Sequence, residues 1–254
     1  MSSPTWTADA LRSEVRRFRR SVWRAVEAQH IVSTRKLVDS LAEQQLLEDI
    51  IEASKPALPQ ECRHLHYLLA TPFRYGRKAR PSRFRASGES GVFYASERVE
   101  TAVAEMAFYR LLFFAESPGT PWPDRALEYT AFQVRITTDR ALDLTRPPFS
   151  RDAALWTRPA DHSACQTLGR SAREAGVQVI RYASVRDRPS GRNVAVLSCL
   201  AFAGPQPVAV ESWRLLFLGD RVQAVRDHPR LNREWPVSDF GRDPRLAPLL
   251  TGPG

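Results

Sequence analysis

The sequence predicts an α+β fold, on three observations. The stretch from Ala8 to Ser54 contains neither glycine nor proline and carries leucines at helical spacing. Beyond residue 60 the chain breaks into short apolar segments bounded by turn residues. Those segments do not alternate regularly with helical patterns, so a parallel, doubly wound sheet is not expected.

Leu37, Leu41, Leu46, Leu47 and Ile50 recur with a helical period, and residues 1–60 are accordingly expected to form an N-terminal helical extension. Within it Arg16, Arg17, Arg19 and Arg20 interleave with Val15, Phe18 and Val22, which reads as the solvated basic face of a packed helix. Lys55-Pro56 through Pro59 interrupts this pattern and places a boundary near residue 60, with the main domain over 61–254. In that domain, strands are expected at Val92–Ala95, Glu128–Ile136, Val177–Val185, Val194–Phe202 and Val208–Leu218. The last enters a hairpin through Gly219-Asp220 to Val222–Val225. Helices are expected at Glu97–Phe114, with Ser96 as N-cap, and at Ser163–Ala175, ended by Gly176. The Arg- and Pro-rich tail from Asp227 is expected to be irregular.

Composition narrows the class. Hydrophobic residues make up 43% and charged residues 26%, ordinary values for a globular chain with a sizeable core. There is no run of 18 apolar residues and no secretory pattern at Met1–Ala10, so neither a membrane span nor export is expected and the location reads as cytoplasmic. Cys62, Cys165 and Cys199 are odd in number and widely spaced, and are read as buried thiols. The net charge of +9 is arginine's, since only Lys36, Lys55 and Lys78 are lysines, and it suits an anionic ligand, nucleic acid or an acidic partner. No G-x-G-x-x-G, P-loop or G-x-S-x-G occurs. His30, His64, His66, His162 and His228 show no triad or metal-ligand spacing, and no metal site is expected.

Two stretches carry candidate chemistry. The first runs from Ser82-Arg83-Phe84 through Gly91-Val92-Phe93-Tyr94-Ala95-Ser96 into the helix bearing Glu105. That glutamate is the lone charge in Ala102–Tyr109, where it must face solvent, pair with a cation or line a pocket. The second is Tyr182-Ala183-Ser184-Val185-Arg186, followed by Asn193 at the start of an apolar strand. Ser184 can donate a hydrogen bond into a site, although strand-end serines are more often structural.

Arg83, Tyr94 and Glu105 fall at intervals of eleven residues. This block, with Phe73-Arg74-Tyr75 upstream and the Ser184 block downstream, resembles the RES domain over residues 61–226. Ala183 stands where the family more usually has proline. The resemblance implies a fold similar to ADP-ribosyltransferases, with a mixed or antiparallel sheet core and flanking helices. It implies a toxin-like enzyme consuming NAD⁺, an NAD⁺ phosphorylase or glycohydrolase cleaving the nicotinamide–ribose bond, with inorganic phosphate as a possible co-substrate and no metal. It also implies an Xre-type antitoxin as partner. On this reading Arg74 and Arg83 clamp the pyrophosphate, and Tyr94 and Tyr75 stack on the nicotinamide side. Glu105 holds the ribose and stabilises an oxocarbenium-like transition state, while Ser184 and Asn193 assist substrate binding. An ADP-ribosyltransferase acting on a specific protein, and a catalytically dead binding relative, remain alternatives within the fold. A basic nucleic-acid-binding module is a third, although no known signature supports direct nucleic-acid contact.

Overall fold

The computed structural model describes residues 6–28, 38–75, 80–187 and 191–250, and Leu37, His30, Lys36 and Lys78 lie outside them. The chain begins with α1 (Ala8–Ser13), whose first turn is capped by the Thr7 hydroxyl. It then enters not a longer helix but a twelve-residue strand, β1 (Arg16–Glu27), which corrects the helical reading of this stretch. Phe18, Val22 and Ala25 are the buried positions, and their separation imitates a helical stripe. Pairing shows why the period misleads. Val22 lies opposite Val134 on one sheet face and Ala25 opposite Ala131 on the other, so this strand is covered on both sides and loses its alternation. The expected helix does form over α2 (Leu41–Ser54), capped by Ser40, with no residue buried.

After α3 (Tyr67–Arg74) come β2 (Phe93–Ser96), α4 (Val99–Glu116), β3 (Leu127–Asp143) and the single turn α5 (Ala153–Trp156). They are followed by α6 (Ser163–Glu174), β4 (Val179–Ala183), β5 (Arg192–Val196), β6 (Ala209–Phe217) and β7 (Arg221–Arg226). The tail is more regular than expected, with β8 (Leu231–Pro236) and a terminal turn α7 (Ala247–Leu250). The stretch expected as a strand to Phe202 stops at Val196, and Ser198 caps a 3₁₀ turn over Cys199–Ala201. Likewise α4 starts two residues late, because Ser96 bonds Asn193 and Glu97 bonds Arg181 instead of capping.

The eight strands form one mixed sheet in the order β1-β2-β5-β4-β3-β6-β7-β8, and β1 also pairs with β3, so the path from β1 through β4 returns on itself. Only β3 and β4 run parallel. The register Trp23↔Ser96 and Val22↔Val134 makes β1 part of this core, across the boundary that the prolines near residue 60 suggest. Helices cover the sheet: α3 packs over Phe93 and Phe132, α4 over Tyr129, Trp213 and Leu215, and α6 over Ile180 and Ala195. Gly169 of α6 lies so close to the Phe84 carbonyl that a Cβ would sit 2.5 Å away, and the Ser82–Arg85 loop rests on the helix there. Gly176 ends α6 at φ +71°, as its position past the helix requires.

Cys62 and Cys199 form a disulfide with Cα atoms 5.5 Å apart, which corrects the reading of three thiols; only Cys165 is free. Each cysteine lies in a short 3₁₀ turn that the fold brings under α3, a proximity invisible in a separation of 137 residues. Among the described residues no helix is long and apolar enough to cross a membrane.

Candidate active site

A cleft of about 570 Å³ opens between β1 and α3 on one wall and α4, the Ser82–Arg85 loop and the Ser184 loop on the other. That size is ordinary for a small-molecule site. Among the described residues Glu105 is the sole carboxylate in its lining. It projects from the middle of α4, whose other buried positions are apolar or small, including Ala102, Ala104 and Ala107.

Two donors converge on Glu105 Oε1: the Ser184 hydroxyl at 2.7 Å and the Asn193 side-chain amide at 2.6 Å. Their direction is set one step further out. Ser96 Oγ donates to Asn193 Oδ1 at 2.7 Å, which turns the amide NH₂ toward Glu105. Ser184 Oγ accepts the backbone N–H of Arg186 at 3.1 Å and of Asp187 at 3.0 Å, leaving its own proton for Glu105. Ser96, Ser184 and Asn193 are all buried, so this is a satisfied polar network held in a low-dielectric setting. Thr101 Oγ1 donates to Asp187 Oδ2 at 2.5 Å and ties the Ser184 loop to α4. Oε2 of Glu105 has no partner among the described residues and is the oxygen available to a ligand.

Tyr94 lines the cleft, and its hydroxyl is engaged by the neighbouring loop. Its hydroxyl accepts Phe84 N–H at 2.9 Å and shares a 2.9 Å bond with Ser82 Oγ, pinning the loop that carries Arg83. Burial raises its pKa to about 12, so it stays neutral. Arg83, itself buried, donates to the Trp156 carbonyl at 2.8 Å and lines the cleft.

Among the described residues five arginines line the cleft: Arg24, Arg83, Arg85, Arg186 and Arg245. Arg186 stacks 3.4 Å from the Phe108 ring centroid and donates to Asp243 Oδ2 at 2.7 Å. Arg245 donates to both oxygens of the same carboxylate, at 2.9 and 2.7 Å. Burial alone would raise the Asp243 pKa, but the bonds from Arg245 and the charge of Arg186 hold it down at about 2. His162 is drawn down to about 4 by its burial and then by the cations Arg83, Arg245 and Arg186, so it is neutral at physiological pH.

Of the residues singled out from sequence, Glu105, Ser184 and Asn193 touch one another, and Arg83, Tyr94 and Tyr75 line the same cleft. Arg74 does not join them: it lies outside the cleft lining and pairs with Glu52 of α2 at 2.6 Å. Sequence reasoning passed over Arg24, Tyr109, His162, Asp243 and Arg245. Arg186 was visible inside the Ser184 block, whereas Asp243 and Arg245 sit in a tail without any motif.

An α+β sheet protein with one oriented carboxylate in an arginine-lined cleft is thus defined. The RES domain profile matches residues 58–217, more than half of the chain, and the protein belongs to the RES domain family. No curated protein sequence matches it. Among solved structures it is similar to the M. tuberculosis MbcT–MbcA toxin–antitoxin complex, with 14% identity, 80% of this chain and 89% of that chain covered, and a TM-score of 0.47. β1, with Arg24, precedes the matched segment, and Asp243 and Arg245 follow it.

Proposed function

We propose that the protein cleaves the nicotinamide–ribose bond of NAD⁺ by phosphorolysis or hydrolysis. The observation that carries this reading is Glu105: a carboxylate oriented by Ser184 and Asn193, in a cleft whose described lining also includes five arginines and several aromatic rings. As the C1′–N bond breaks, its electron pair passes to the ring nitrogen and nicotinamide leaves neutral, so no acid is needed. The positive charge moves to the ribose. A fixed carboxylate oxygen beside C1′ and the 2′-hydroxyl stabilises that charge more in the transition state than in the ground state. Water then adds and releases a proton, or phosphate adds through an oxygen. Arginine forks suit the pyrophosphate, which carries two negative charges.

Such an enzyme acts where NAD⁺ is held, in the cytoplasm, and as a toxin it requires restraint. An Xre-type antitoxin presenting carboxylates to the arginine-rich cleft fits that need. Growth inhibition that persists on co-expression with such an antitoxin would remove this part of the proposal.

The test is NAD⁺ loss by purified protein with and without phosphate, following free nicotinamide. Glu105→Gln keeps the side chain's shape and is expected to lower kcat by about 10³-fold or more, the scale of losing a transition-state electrostatic partner. Dependence on phosphate identifies phosphorolysis. Discrete labelling of one lysate protein, without free product, would instead favour a protein-modifying transferase.

A further inference from the structure

Pairing of β1 divides the run Arg16, Arg17, Arg19 and Arg20 in two. Arg16 and Arg17 have carboxylate partners, Glu14 at 3.7 Å and Asp139 at 3.8 Å. Among the described residues no carboxylate pairs with Arg19 or Arg20, nor with Arg135 across the ladder. These three arginines line an open depression of about 440 Å³ that shares no lining residue with the cleft. Register explains how they meet. Arg19 lies opposite Thr137 and Ser21 opposite Arg135, and directly opposed residues of an antiparallel pair project to one face. Arg19 and Arg135 are therefore diagonal neighbours, about 7–8 Å apart at the backbone, with a hydroxyl opposite each. Arg20 joins from the next position, its Nη1 donating to the Arg19 carbonyl at 3.2 Å. Farther along this face α4 packs over Ala131, but at this end all three arginines are exposed.

Like charges set this close on a paired strand repel, and a ligand carrying several linked negative charges relieves all of them at once. The rest of the lining decides which polyanion fits. A protein partner needs an apolar core and aromatic anchors, whereas here Ile136 is fully buried and Ala203 offers one methyl group. Unpaired bases need rings to stack on, and among the described residues no ring lines the depression. Arginine forks beside the Ser21 and Thr137 hydroxyls suit phosphate oxygens, which position a duplex without reading its bases.

We propose that this face of β1 and β3 docks the sugar–phosphate backbone of duplex nucleic acid, with Arg19, Arg20 and Arg135 each taking a phosphate and no preference for sequence. The site stands apart from the cleft and does not rest on the NAD⁺ reading.

Fluorescence anisotropy of a short labelled duplex of mixed sequence, titrated with the full chain at about 50 to 200 mM salt, counts the contacts. Three phosphate contacts give a slope of log K against log salt of about −3. Arg19→Gln combined with Arg135→Gln should lower the magnitude of that slope by about two and weaken binding about 10- to 100-fold at the lowest salt. Arg125→Gln combined with Arg151→Gln removes the same charge from exposed positions outside both linings and should leave the slope unmoved. Melting temperature and NAD⁺ loss should match wild type in both double variants. Equal weakening in the two would reduce binding to net charge and overturn the site, as would absence of duplex binding by wild type. Polyglutamate bound as tightly as the duplex, with the same dependence on Arg19 and Arg135, would assign the face to an acidic protein and overturn the proposal too.

Discussion

Arg186 and Arg74 each hold a carboxylate at almost the same distance, Asp243 at 2.7 Å and Glu52 at 2.6 Å, yet their side chains are 4% and 0% exposed in the first pair and 22% and 54% in the second. Distance therefore says little about what either pair contributes. The buried pair is bound into a larger arrangement, with Arg245 on the same carboxylate and Phe108 under the Arg186 guanidinium. Removing one member leaves a charge stranded in a poor solvent. The outer pair links two helices through a carboxylate that is more than half exposed, and water replaces that partner at little cost. One pair holds the backbone turn that points Ser184 at Glu105, while the other draws an arginine away from the cleft.

The largest separation between the two should appear on deleting the buried carboxylate. Asp243→Ala is expected to cost about 3–5 kcal/mol, the range for breaking a buried pair. At about 2–4 °C per kcal/mol for a chain of this size, the melting temperature should fall by roughly 6–20 °C. NAD⁺ turnover should fall with it, because Arg186 N–H is one of the two backbone donors on Ser184 Oγ. Differential scanning calorimetry decides the matter: a shift under about 2 °C would mean that Arg186 finds another partner and that burial is not what distinguishes the pairs.

Acid titration sharpens the contrast, and the signs differ by group. The Asp243 pKa is depressed from 3.8 to about 2, so its stabilisation is complete above about pH 4 and is lost as pH falls toward 2. That shift corresponds to about 2 kcal/mol. Glu52 is depressed to about 2 as well, but its exposure leaves it open to screening. Added salt should erase its share of the acid limb and spare that of Asp243. His162 acts in a higher window: the folded state resists protonation down to about pH 4 whereas the free side chain accepts a proton near 6.5. Stability should therefore decline from pH 6.5 to 4, and His162→Gln should flatten this limb alone. An unchanged limb in that variant would show that His162 is not the group responsible.

Which parts of the molecule could be read from sequence follows the same division between local and assembled features. α4 and α6 were legible because apolar residues and terminal signals sit within one segment, and so was the placement of Glu105, Ser184 and Asn193. β1 was not, since a strand buried on both faces, with Phe18, Val22 and Ala25 inward, shows a helix-like spacing. Arg24 was lost with it, lying just past Arg16, Arg17, Arg19 and Arg20, the run read as a solvated face. The Cys62–Cys199 link and the Asp243–Arg186 pair depend on segments far apart in sequence, and neither cysteine count nor local charge encodes such meetings. Tyr94 was legible as a cleft residue, whereas its hydroxyl bonds to Ser82 and Phe84 arise from how the loop folds back on it and leave no local signal.

The smallest effect belongs to the outer pair and tests whether Arg74 matters to catalysis at all. Glu52→Gln should leave the melting temperature close to that of wild type, as for an exposed ion pair. Its interest lies in what it frees. Arg74 closes α3, next to Tyr75 on the cleft wall, and Glu52 is the carboxylate that holds it elsewhere. If that pairing alone excludes Arg74, the variant should lower the KM for NAD⁺, and Arg74→Gln on its own should leave KM unchanged. If Arg74→Gln instead raises KM, then Glu52 yields to substrate, and the outer pair is a weak latch over a phosphate contact.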